Sequence, residues 1–169
     1  VRQQFSVTLP RMLPPGIPGE LEQVSGLTAS AGFLTFTVKV SGHLGQVSGR
    51  QIVVPGFFFL TGAHQQFAAE PKREAPVDLH YAGQEINAVT YHLPAGFTVE
   101  SAPQAIQLPW PGHAALVVQT QPGEGTITIK HILAKAFVVL PPTDYPALRD
   151  FYQKVVTNDG QSLVLVSGH

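Results

Sequence analysis

The stretch that decides the fold runs from Leu34 to Val40 and reads LTFTVKV. Leu34, Phe36, Val38 and Val40 alternate with Thr35, Thr37 and Lys39, the period-two pattern of a strand with one face on a core and one in water. Working outward, the same alternation recurs at Phe5, Val7 and Leu9, at Val89, Tyr91 and Leu93, and at Ile127 and Ile129. The denser apolar runs Ala115 to Val118 and Ala136 to Leu140 fit strands covered on both faces or near a sheet centre.

Between these runs lie Pro-Gly turns: LPPGIPG over 13–19, Pro55-Gly56, LPAG over 93–96, LPWPG over 108–112 and QPGEG over 121–125. The stretch from Pro10 to Gly19 reads either as a turn or as a stiff linker, because proline needs no ladder partner. Thr61 to Glu74 has weak alternation and is expected to be a long exposed crossover. One segment breaks the strand pattern. Leu148, Phe151, Tyr152 and Val155 sit at i, i+3, i+4 and i+7, one apolar stripe of an amphipathic helix. Thr143 or Asp144 can cap its start, and Asn158-Asp159-Gly160 supplies a stop before a last strand, Ser162 to Val166. The expected fold is therefore all-β: an antiparallel β-sandwich, immunoglobulin-like or related, with one short C-terminal α-helix before the last strand. The expected organisation is a single domain over 1–169, with a looser N-terminal part over 1–70 as the alternative.

Composition agrees with this class. The 169 residues are 44% hydrophobic and only 12% charged, with 16 Gly and 15 Pro to serve many turns. Ten basic against eleven acidic residues leave no cationic excess for phosphates, which argues against nucleic acid as a partner. No apolar run approaches the roughly 20 residues of a membrane helix. The chain has no cysteine, which removes disulfides, thiolate metal sites and cysteine nucleophiles together. It opens on Val1 without a basic-then-apolar leader, as expected of a processed or excised piece.

The motifs that carry chemistry are weak. Ser41-Gly42-His43 is suggestive alone, but serine beside glycine is ordinary turn chemistry, and no Gly-x-Ser-x-Gly elbow is present. His43, His64, His80, His92, His113, His131 and His169 show no HxH or HExxH spacing, so no metal site and no cofactor is expected. His92 and His131 fall on strands, where a surface position or a satisfied core hydrogen bond is the ordinary outcome. The acidic residues are scattered, and no phosphate-binding glycine loop occurs. Trp110 is the one tryptophan, bracketed by Pro109 and Pro111 with His113 close by. It reads in two ways: a rigid aromatic gripping a carbohydrate or peptide together with His113, or a plug closing the end of a sandwich core.

From Lys72 onward the order of features resembles the C-terminal region of bacterial transglutaminase-like proteins of the cysteine protease type. The matching pieces are REAPVDL over 73–79, YHLPAGFTVESAP over 91–103, the strand ending in Ile127 to Ile132, YPALRDFYQKV over 145–155 and DGQSLVL over 159–165. The resemblance covers residues 72–166. It implies a C-terminal accessory sandwich in an exported, extracytoplasmic protein. The Cys-His-Asp core of such a protein would lie elsewhere, since no residue here can be its cysteine. The implied partner is that catalytic domain of the same chain, with protein or polysaccharide as further ligands.

Overall fold

In a computed structural model of the chain, residues 1–13, 16–27, 32–60 and 63–168 are described. Pro14 and Pro15 of the first expected turn, and Thr61 and Gly62 of the expected crossover, lie outside them. The chain divides into two compact units, Val1–Gln46 and Val47–His169.

The first unit holds α1 (Arg2–Met12) and an antiparallel pair, β1 (Gly19–Ser25) with β2 (Thr35–Val40). The alternation that decided the fold is realised in β2, where Phe36, Val38 and Val40 turn inward and Thr35, Thr37 and Lys39 face out. Leu34 lies just outside the strand and is exposed. Phe5 to Leu9, expected as a strand, is helical instead. Phe5 and Leu9 are also spaced i, i+4, so a helix gathers them on one face and leaves Val7 outside. Phe5 stacks on Phe36 at 4.0 Å between ring centroids, and Leu9 is buried.

The second unit contains β3 (Gln46–Ser48, beginning one residue before the boundary), β4 (Gln51–Pro55), α2 (Gln65–Ala69) and β5 (Val77–Asp78). Next come β6 (Gly83–His92), β7 (Phe97–Ser101), β8 (Ile106–Trp110), β9 (Ala114–Gly123) and β10 (Thr126–Lys135). The last elements are β11 (Val139–Leu140), α3 (Tyr145–Asp159) and β12 (Ser162–Ser167). One four-stranded antiparallel sheet runs β6-β10-β9-β8 and another β3-β4-β12-β7, with β5 and β11 as a short separate pair. These sheets, with the helix placed before the final strand, make the expected all-β, sandwich-like fold.

The turns are shorter than the Pro-Gly stretches suggest, because Leu108 to Trp110 extend β8 and Gln121 to Gly123 extend β9. Gly96, Gly112 and Gly125 carry positive φ between β6 and β7, β8 and β9, and β9 and β10, a conformation that costs glycine nothing. Gly123 pairs directly with Thr126, so β9 and β10 close on Glu124-Gly125 alone. The core is lined by Leu116 and Val118 of β9, Ile127, Ile129 and Leu133 of β10, and Leu163 and Leu165 of β12. Tyr91 of β6 ties the sheets together by donating its hydroxyl to the Pro55 carbonyl at the end of β4, 2.5 Å away.

Helix α3 buries the stripe Leu148, Phe151, Tyr152 and Val155, and fully burying such side chains stabilises by about 1.5–3 kcal/mol each. Two further expectations need correction. Thr61 to Glu74 is not a wholly exposed crossover: it contains α2, and Phe67 and His64 are both buried. Phe67 packs edge-on against Tyr152 of α3, which anchors the segment on the helix through Phe67 and His64, while most of its other described residues remain exposed as expected. In the run Ala136 to Leu140 only Val139 and Leu140 form a strand, pairing with β5, while Phe137 turns into the core.

Candidate functional site

Two places in the second unit gather side chains able to do chemistry. The first is a polar cluster inside the core. His131 lies on β10 in phase with Ile127, Ile129 and Leu133, so strand periodicity points it inward with them. Asp159 continues the α3 stripe one turn beyond Val155 and is its last helical residue. His64 immediately precedes α2. Their exposures are 0%, 7% and 7%.

Asp159 takes a hydrogen bond from His64 Nδ1 on Oδ2 at 2.6 Å, while His131 Nε2 approaches Oδ1 at 3.0 Å. The second approach is off the ideal hydrogen-bond line, and among the described residues neither of those two atoms has another partner. The far side of His64 faces Glu85 of β6, with Nε2 3.7 Å from Oε2, and Glu85 is paired in turn with Lys135 of β10. The two imidazoles lie nearly parallel, 6.0 Å apart, between the edge of Phe57 on His131 and Tyr152 beside His64.

The electrostatics follow from this order. Burial works against charge on His64, but the hydrogen bond to Asp159 and the nearby carboxylates of Glu85 and Asp159 overcome it and raise its pKa to about 9. Glu85 is held down to about 2, first by His64, against the effect of burial, and also by Lys135. Burial pushes Asp159 up, yet the two histidines outweigh it and its carboxyl stays below the usual range. A carboxylate at a helix C-terminus also meets the negative end of the dipole, a second reason it requires its cationic neighbour. Two cations, His64 and Lys135, then balance two carboxylates. Among the described residues no three His, Asp or Glu side chains are arranged to hold a metal ion. Asp159 stands between the rings and spends one oxygen on each, so the donor atoms do not converge on a common point.

The second place is the sequence's own candidate pair, Trp110 and His113. Trp110 ends β8, and His113 lies in the turn before β9, its ring N–H donating to the Pro111 carbonyl at 3.0 Å. The turn folds His113 flat onto Trp110, with centroids 4.4 Å apart and planes 11° apart. Behind them stand Phe137, edge-on at 5.9 Å, and Phe151 of α3 at 5.8 Å. Both Trp110 and His113 are half-buried. Ser41-Gly42-His43, in the first unit, is an exposed turn with Gly42 at φ +121.

The sequence reading leaves His131 as an ordinary strand histidine and places Asp159 in the stop after the helix, so neither is expected in a site; the signal that marks them is their position in the apolar phases of β10 and α3. His64 carried no such signal, since it precedes a five-residue helix with little pattern around it.

A family model for a domain of unknown function with a solved structure, DUF3858, matches residues 50–165, most of the second unit and more than half of the chain. The chain belongs to the DUF3858 family. Both the His-Asp-His cluster and the Trp110–His113 stack lie inside the DUF3858 match. Among solved structures the chain is similar to "a putative protease from Parabacteroides distasonis ATCC 8503", with a TM-score of 0.51 and 16% identity. The similarity covers 60% of this chain and 20% of that one, and at this identity it shows a shared fold. No curated protein matches the sequence.

Proposed function

We propose that this DUF3858 chain is a non-catalytic accessory domain of a larger, exported transglutaminase-like protein, packing on a catalytic core outside residues 1–169 or positioning substrate for it. The observation that carries the reading is an apolar corner. Pairing of β5 with β11, with the Leu79 amide bonded to the Val138 carbonyl, leaves Val138 and Val139 exposed at 42% and 57%, and Tyr81, two residues beyond Leu79, is 75% exposed. Large apolar side chains left in solvent are what a docking face on another domain presents.

Two further facts support it. The chain has no cysteine, and His64, His131 and Asp159 are buried in the core, with only the half-exposed Glu85 at the solvent side of the cluster. The similar protease chain is about five times the extent of the matched fold, which leaves room there for chemistry elsewhere. The extracytoplasmic location rests on the family resemblance of residues 72–166.

The test is reconstitution. The chain is expected to hydrolyse neither peptides nor esters alone, to co-elute with the separately expressed remainder of its gene product, and to lose that binding on Val139→Asp. Cell fractionation should find the full protein outside the cytoplasm. Intrinsic hydrolytic activity, or failure to bind the remainder, would sink the proposal.

A further inference from the structure

We infer that β6 is a self-pairing edge, through which two copies of the chain join in antiparallel fashion about a two-fold axis. The four outer edges of the two four-stranded sheets differ in how they are protected. β3 has only three residues, β8 contains Pro109, and β7 has five residues with a register shift against β12. Short length, proline and bulges are the usual devices that keep an edge from pairing.

β6 has none of them. It runs ten residues, GQEINAVTYH, in unbroken register with β10 from Gly83 to His92, without proline or lysine. Among the described residues no other backbone hydrogen bond reaches its outer edge.

The side chains indicate a second copy as the occupant. Glu85, Asn87, Val89 and Tyr91 share the core-facing phase, so the strand's only acidic group is turned toward His64 and Lys135. The opposite phase, Gln84, Ile86, Ala88, Thr90 and His92, holds no carboxylate, lysine or arginine. On that face the register lines up Val117, Ile132 and Ile86 across β9, β10 and β6, an apolar row that stops at the edge with Ile86 40% exposed. A two-fold at Ile86 continues the row into the second copy and sets Glu85 opposite Asn87, not opposite another Glu85. The result is one continuous eight-stranded sheet.

Absence of native cysteine makes the arrangement directly readable. Directly opposed residues have Cβ atoms about 4.5–5.5 Å apart, close to disulfide reach. Residues 1–169 carrying Ile86→Cys should therefore cross-link to a dimer on mild oxidation, while Gln121→Cys, exposed on β9 of the same sheet, should not. The unmodified chain should sediment as a dimer at about 100 μM. Ile86→Lys should sediment as a monomer with an unchanged circular dichroism spectrum. A chain that stays monomeric at that concentration, or an Ile86→Cys variant that cross-links no faster than Gln121→Cys, overturns the inference and leaves the edge to a strand from another protein.

Discussion

Asp159 Oδ2 lies 2.6 Å from His64 Nδ1, while its other oxygen lies 3.0 Å from His131 Nε2. One carboxylate thereby fastens the end of α3 both to the segment that precedes α2 and to the central strand β10. Removing a single partner from a buried ionic group typically costs about 3–5 kcal/mol, because the remaining charge is left uncompensated. Asp159→Ala should lose stability in that range in urea denaturation, with Asp159→Asn losing less because it keeps an acceptor.

The same cluster sets a pH window. His64 is raised from 6.5 to about 9, so its contribution is complete below 6.5 and is lost as pH climbs through 9. Glu85, lowered from 4.5 to about 2, and Asp159, lowered from 3.8, contribute above their ordinary values and lose that contribution as pH falls. Unfolding free energy measured against pH should be flat between about 4.5 and 6.5 and decline on both sides. His64→Gln should flatten the alkaline limb while the acid limb persists in part.

Tyr91 offers a test of the link between the sheets. Its hydroxyl donates to the Pro55 carbonyl, and burial raises its pKa so that the donor persists through ordinary alkaline pH. Tyr91→Phe keeps the ring and removes the donor, leaving a part-buried carbonyl without it. A loss of about 1–3 kcal/mol is expected, read from thermal or chemical unfolding.

Trp110 has one ring face covered by His113 and its flank against Phe137 and Phe151. Trp110→Ala should cost about 3–5 kcal/mol, as for other large aromatic truncations in packed sites. Titration with soluble polysaccharides or cell-wall peptides should leave Trp110 fluorescence unchanged. A saturable quench would instead identify the pair as a ligand grip.

Much of the fold is legible in the sequence because burial imposes a period. β2 and β10 show it, β9 reads as a denser apolar run, and the α3 stripe is readable as far as Val155. Phe5 to Leu9 misleads because Phe-x-Val-x-Leu alternates while its first and last residues also satisfy the helical i, i+4 relation, and packing on Phe36 decides the matter. The buried cluster is not among the sites expected from the sequence, although two of its members carry a readable signal. His131 and Asp159 occupy apolar phases of regular elements, where a polar residue signals a buried partner. His64 lies 95 residues from Asp159 in the chain, and no local pattern encodes a contact across that distance.

β12 forms the middle of its sheet, between β4 and β7, although it follows both in the chain. During synthesis β4 and β7 therefore leave the ribosome with nothing between them, and their sheet cannot close until residues 162–167 emerge. Until then the inner face of β4, including Val54, stays wet and open to wrong pairing. This half of the sandwich is expected to fold late and in one step, and the nascent chain should depend most on chaperones just before its final strand appears.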